Sequence, residues 1–165
     1  MPTRLTNISR NHSGYRISAP RLDLTMQFAV PRSGLPSAAQ FGRWARASLI
    51  EDATVTLRLV DRAEATALNS AYRQKLYATN VLTFAYPEIR PLSGDIILCI
   101  PVIHDEALAQ GKSMQAHLAH LTVHGMLHLQ GFDHETGEDA ELMEGLESEI
   151  VSKLGYADPY AETLT

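Results

Sequence analysis

The side chains of this chain best suited to chemistry are three imidazoles in the run HGMLHLQGFDH, at His124, His128 and His134. His124 and His128 stand four residues apart, so on a helix they lie on one face, one turn above the other. Gly131 follows three residues after His128, where a helix often closes in the left-handed conformation that glycine adopts without strain. With Phe132 and Asp133 filling the turn, the reversed chain can return His134 to the same point. Three neutral nitrogen donors with a fourth position open form the ligand pattern of a catalytic zinc ion. Nickel and cobalt accept the same donors.

The spacing H-x-x-x-H-x-x-G-x-x-H is also that of metzincin peptidases, in which a glutamate directly after the first histidine is the general base. Gly125 occupies that position here. General-base catalysis is worth about 10²–10⁴-fold, so the ligands are kept while the peptidase chemistry is not. Of the other histidines, His120 lies one turn before His124 and is expected either as a hydrogen-bond donor supporting the ligands or as a core histidine. Asp133 is a second candidate for that supporting role. His117 is expected to be exposed at the helix entrance, and His12 and His104 to be surface residues.

These residues need a scaffold, and the composition supplies one. At 165 residues, 45% hydrophobic and 20% charged, the chain has the length and apolar content of one ordinary domain with a core. Its longest apolar run, Ile96 to Ile103, is far short of the roughly 18 residues that span a membrane. Cys99, the single cysteine, excludes an internal disulfide and fits a reducing cytoplasm; its place inside that run makes it a core residue. The net charge of −5 argues against a nucleic-acid partner at first sight. The charge is unevenly placed, however: residues 133–149 hold eight acids and no Lys or Arg, while residues 1–132 carry 13 Lys+Arg against 9 Asp+Glu. That local excess permits a basic groove, with Arg58, Arg62, Arg73 and Lys75 as candidate phosphate contacts.

Residues 1–20 contain Arg4, Arg10 and Arg16, no acid and little apolar periodicity; they are expected to form a flexible basic N-terminal extension. A single domain is expected over residues 21–165. Leu22 to Val30 alternates with period two and predicts a half-buried strand. Ser37 caps a helix to about Glu51, Thr54–Val60 is a strand, and Arg62–Arg73 is a helix with Ala65, Leu68 and Tyr72 on one side. Strands follow at Val81–Ala85 and Asp95–Ile100. A helix from Pro101 ends by Gly111, and Ser113 caps the histidine-bearing helix, which runs to about Gln130 and is apolar on most sides. The last helix spans about Glu138–Leu154, with Leu142, Met143, Leu146, Ile150 and Leu154 inward. This order predicts an α+β fold, a small mixed four-stranded sheet packed with about five helices around a buried central metal-binding helix.

Several stretches together resemble the YbeY family of bacterial metal-dependent endoribonucleases. They are LNSAYRQK at Leu68–Lys75, TNVLTF at Thr79–Phe84, GDIILC at Gly94–Cys99, AHLAHLTVHGMLHLQGFDH at Ala116–His134, and GYADPY near the end. The resemblance covers about Leu22 to Tyr160. It departs at Asn80, where the family usually has aspartate before V-L-[ST]-F.

The resemblance implies a single-strand-specific endoribonuclease acting in ribosomal RNA maturation, at the 3′ end of 16S rRNA, and in ribosome quality control. Its partners would be single-stranded RNA, rRNA precursor and the small ribosomal subunit, with no membrane. It further implies one Zn2+ held by His124, His128 and His134, and Arg73 as the catalytic arginine. Zinc lowers the pKa of its water from 15.7 to about 7 and polarises a phosphoryl oxygen. Arg73 can fork onto the remaining phosphate oxygens without losing its charge, and Lys75 can hold a neighbouring phosphate. The attacking oxygen, water or the RNA's own 2′-OH, stays open. So do two other functions: hydrolysis of a peptide or amide bond, and a non-catalytic ribosome-assembly factor with a structural metal, for which Asp133 or His120 would supply a fourth ligand.

Overall fold

In the computed structural model, which describes residues 18–161, alternation turns Leu22, Leu24, Met26 and Phe28 inward and sets strand β1 (Leu22–Phe28). Strand β2 (Ala53–Val60) lies parallel to it and sends Val55, Leu57 and Leu59 into the core. Strands β3 (Val81–Tyr86) and β4 (Leu92–Cys99) complete a sheet of order β1-β2-β4-β3, with β4 parallel to β2 and antiparallel to β3. The central strand β4 is apolar on both faces: Ile96 and Leu98 join the main core, while Ile97 and Cys99 join a smaller cluster with Val60, Ala65 and Leu82.

Five helices accompany the sheet among the described residues: α1 (Ala38–Ala47), α2 (Arg62–Arg73), α3 (Ile100–Gln110), α4 (Met114–Leu129) and α5 (Gly137–Lys153). Ser37, Asp61, Ser113 and Thr136 cap α1, α2, α4 and α5 by accepting a backbone N–H three residues on, each satisfying a donor that the helix leaves orphaned. The α+β architecture matches the expectation, including the buried central helix. Leu118, Leu121, Val123, Met126, Leu127 and Leu129 of α4 are all buried. They cover most sides of the helix because α4 packs on the sheet and on α1, α3 and α5. Burial of each such large side chain stabilises by about 1.5–3 kcal/mol.

Several boundaries and faces differ from expectation. Helix α1 stops at Ala47 rather than near Glu51: Ser48 Oγ donates to Trp44 O, and the N–H groups of Ile50 and Glu51 donate to Gln130 Oε1 at 2.7 and 3.4 Å. The anticipated last turn is thus tied to the end of α4. Strand β4 begins at Leu92, three residues early, because Leu92–Gly94 pair with Ala53–Val55. Ile100 starts a helix rather than ending a strand. On α5 the buried seam is Met143, Glu147 and Val151, while Leu142 is 57% exposed. On α2 the buried residues are Ala65 and Asn69, and Tyr72 faces solvent. The expected basic arm lies, for residues 1–17, outside the described residues.

One close approach fixes the height of α4 above the sheet. A Cβ on Gly94 would stand 2.6 Å from Leu129 Cδ2 and 2.9 Å from the Phe84 carbonyl oxygen. Gly94→Ala should therefore destabilise the fold by about 1–3 kcal/mol through overpacking. The measurement is a urea titration, with a lowered midpoint at unchanged slope expected. A wild-type midpoint would show that this contact does not constrain the helix.

Candidate functional site

Helix α4 closes in a Schellman motif: Phe132 N–H bonds to Leu127 O and Gly131 N–H to His128 O, both at 3.1 Å, with Gly131 at φ +104°. Only a residue without Cβ adopts that φ freely. The reversal carries His134 back over the helix, so that three imidazoles converge. Ring centres lie 6.3 Å apart for His124–His128, 5.5 Å for His124–His134 and 6.2 Å for His128–His134.

Their hydrogen bonds set which nitrogens face the gap. His124 Nδ1 lies 2.9 Å from Glu147 Oε2, and His128 Nδ1 lies 3.0 Å from Phe132 O. Carboxylate and carbonyl oxygens only accept, so a neutral imidazole at either place carries its one proton on Nδ1, with Nε2 as the nitrogen open to an ion. Among the described residues no group of three His, Cys, Asp or Glu is closed tightly enough to hold an ion as it stands. Three imidazoles at about 2.0–2.1 Å from a tetrahedral zinc put their ring centres about 5 Å apart, so these rings stand wide by about 0.5–1.3 Å. Three imidazole nitrogens are donors that suit the ion.

The three rings line a cavity of about 440 Å³ together with Asn69, Arg73, Lys75, Tyr77 and Thr83. Arg73 projects from the last turn of α2; its Nη2 donates to Thr83 O at 2.6 Å, and its Cζ lies 5.4 Å from the Phe84 ring centre. These contacts aim the guanidinium while leaving other N–H groups for a ligand. Gln74 then ends the helix at φ +58°. Buried Asn69 accepts Lys75 N–H through its backbone carbonyl and donates its side-chain Nδ2 to Tyr77 O at 2.9 Å, so it shapes the loop that carries Lys75.

Other expected site residues are placed differently. Asp133 accepts the His134 backbone N–H at 2.7 Å and supports no ring. His117 is buried, not exposed: its Nε2 pairs with Glu106 Oε1 at 2.8 Å, and burial lowers its pKa. Asn80 Nδ2 donates to the same Glu106 carboxylate at 3.0 Å, a bond that an ionised aspartate at this position could not donate. Arg58 is bound by Glu64 and Gln27, and Arg62 by Asp105, and neither lines the cavity. A Cβ on Gly125 would meet Ile96 at 3.0 Å. A glutamate there would be driven into the sheet, not toward the histidines.

Glu147 and Tyr160 are the residues that sequence reasoning missed. Glu147 Oε1 accepts His120 Nε2 at 2.7 Å and the Tyr160 hydroxyl at 2.5 Å, while Oε2 faces His124. Burial pushes the Glu147 carboxyl up, but its bonds from His120, His124 and Tyr160 outweigh this and hold its pKa at about 2. Burial and the adjacent carboxylate push the Tyr160 hydroxyl up. The sequence signal was the spacing of Met143, Glu147 and Val151, which puts an acid on an apolar helical seam.

Fold and site together define a class, an α+β domain whose central helix and the turn after it bring three imidazoles into one cavity with a guanidinium. The family model for Endoribonuclease YbeY matches residues 39–155. A relative called Endoribonuclease YbeY from Nitrosomonas europaea is 49% identical over 160 residues, covering 97% of this chain and 98% of its own. Another from Aromatoleum aromaticum is 54% identical over 147 residues, covering 87% and 96%. A protein from Thermotoga maritima, solved in solution, aligns with TM-score 0.51 and 22% identity over 84% of this chain and 99% of its own; that likeness concerns the fold alone. The chain belongs to the endoribonuclease YbeY family, a family of hydrolases acting on RNA phosphodiester bonds.

Proposed function

We propose that this protein is a zinc-dependent, single-strand-specific endoribonuclease that matures ribosomal RNA, at the 3′ end of 16S rRNA, and serves ribosome quality control in the cytoplasm. The observation that carries the reading is the convergence of His124, His128 and His134 on a cavity faced by Arg73. Family membership supports RNA as the substrate, with rRNA precursor and the small ribosomal subunit as partners. No helix among the described residues is long and apolar enough to cross a membrane.

The Nε2 lone pairs of His124 and His128, with the His134 ring, would hold the ion. When bound, zinc supplies Lewis-acid polarisation of a phosphoryl oxygen. Arg73, anchored on Thr83 O, directs its remaining donors at the non-bridging oxygens, where negative charge grows as the phosphate becomes five-coordinate. Its guanidinium keeps that charge at any working pH. Lys75, on the adjoining loop, holds a neighbouring phosphate and fixes the strand's register. A peptidase reading loses its base, because position 125 faces Ile96.

The test compares zinc-loaded and chelated protein on a short single-stranded RNA, the matching duplex and a peptide set. Cleavage is expected for the single strand with zinc only. Equal cleavage by chelated protein would sink the metal reading, and cleavage of peptides alone would sink the RNA reading. RNA affinity provides a further check. With Arg73 and Lys75 as the phosphate contacts, log K should fall with log salt at a slope of about −0.7 per contact. Lys75→Ala should flatten that slope by about one contact; an unchanged slope would remove Lys75 from the interface.

A further inference from the structure

Among the described residues Glu147 is the only fully buried acid, 1% exposed, and it sits in a seam with Met143 and Val151. A carboxylate in such surroundings is costly unless its hydrogen bonds are satisfied, so packing alone does not explain it. Its two oxygens divide their work. Oε1 accepts His120 Nε2 and the Tyr160 hydroxyl, while Oε2 is left to His124 Nδ1 at 2.9 Å.

We propose that Glu147 is a positioning residue that fixes the proton of His124 on Nδ1 and turns its Nε2 to the cavity as a metal donor. This rests on the three-histidine metal reading. A neutral imidazole has one N–H, and an acceptor-only partner at Nδ1 selects the tautomer with Nε2 bare. The carboxylate also makes the ring a stronger donor and offsets part of the ion's charge. His128 has only the neutral Phe132 carbonyl in the equivalent place, so His124 is the ring that Glu147 singles out. His120 and Tyr160 hold the carboxylate in turn. Tyr160 comes from the segment after α5 and is itself tied down, since Asp158 Oδ1 accepts both Ser148 Oγ at 2.6 Å and Tyr160 N–H at 2.9 Å. The chain following α5 therefore acts on the site through Glu147 without touching the cavity.

The test has two readouts besides activity. Long-range proton–nitrogen NMR of metal-free wild-type protein should find His124 protonated on Nδ1. Chelator competition should find zinc affinity lowered by about 10–100-fold in Glu147→Gln, and far less in Tyr160→Phe, which keeps the carboxylate and its bond to His124. A merely structural role would instead lower folding stability in both variants and leave zinc affinity alike. Wild-type His124 protonated on Nε2 would overturn the proposal, as would folded Glu147→Gln binding zinc like wild type. Should Glu147→Gln fail to fold, the wild-type tautomer and Tyr160→Phe decide. A wild type that takes up no zinc would sink the metal reading itself, a different result from wild-type affinity in the variant.

Discussion

Arg73→Ala is expected to lower single-turnover cleavage of a short single-stranded RNA by about 10²–10³-fold, the usual cost of removing one donor from a charge-stabilising site. The guanidinium lines the same cavity as the three imidazoles but is anchored elsewhere, on Thr83 O. Zinc content should therefore stay at the wild-type level, measured on the same sample. If Arg73 acts on charge that grows only during the reaction, affinity for uncleaved RNA falls much less than turnover. Arg73→Lys should rescue little, because an ammonium cannot hold the Thr83 carbonyl and two phosphate oxygens in one plane. Near-normal cleavage by zinc-loaded Arg73→Ala would remove Arg73 from the mechanism.

Much of this was legible in the sequence because its signals are local. A 3.6-residue period put His124 and His128 on one face, and Gly131 marked the reversal that brings His134 back; both are properties of a dozen consecutive residues. The caps at Ser37 and Ser113 and the end at Gly111 are local in the same way. The misplaced features depend on partners far along the chain. Helix α1 loses its last turn because Gln130, some eighty residues on, binds the N–H groups of Ile50 and Glu51. His117 is drawn inside by Glu106 of α3, and a charge count has no means of registering that.

The acid-rich stretch is the clearest case. Eight acids lie between residues 133 and 149, and the stripe expected inward runs through Leu142. The true seam is rotated by about one residue, which exposes Leu142 and buries Glu147. An acid on an apolar seam looks like an error until its donors are known, and His120, His124 and Tyr160 come from two other segments. Arg58 and Arg62 mislead in the opposite sense: as cations they looked available for phosphate, yet Glu64 and Asp105 hold them.

Loss of any one of the three imidazoles should cost more than loss of a supporting hydrogen bond. His124→Ala, His128→Ala and His134→Ala are each expected to weaken zinc binding by more than the roughly 100-fold that marks the upper end for a ligand's hydrogen-bond partner. His104→Ala, on the exposed surface of α3, should bind like wild type. Folding stability gives an independent readout, because an ion that binds only the folded state stabilises it by mass action. Zinc at about 100 times its Kd adds about 2.7 kcal/mol, which for a domain of this size raises Tm by about 5–10 °C. Wild-type protein should show that rise on zinc addition and lose it to a chelator, while the three alanine variants show little of it. His134→Ala is the most telling of them, since His134 lies beyond the helix and joins the others only through the turn at Gly131. Full zinc occupancy and a wild-type Tm rise in His134→Ala would reduce the site to two histidines and remove the reason for that turn.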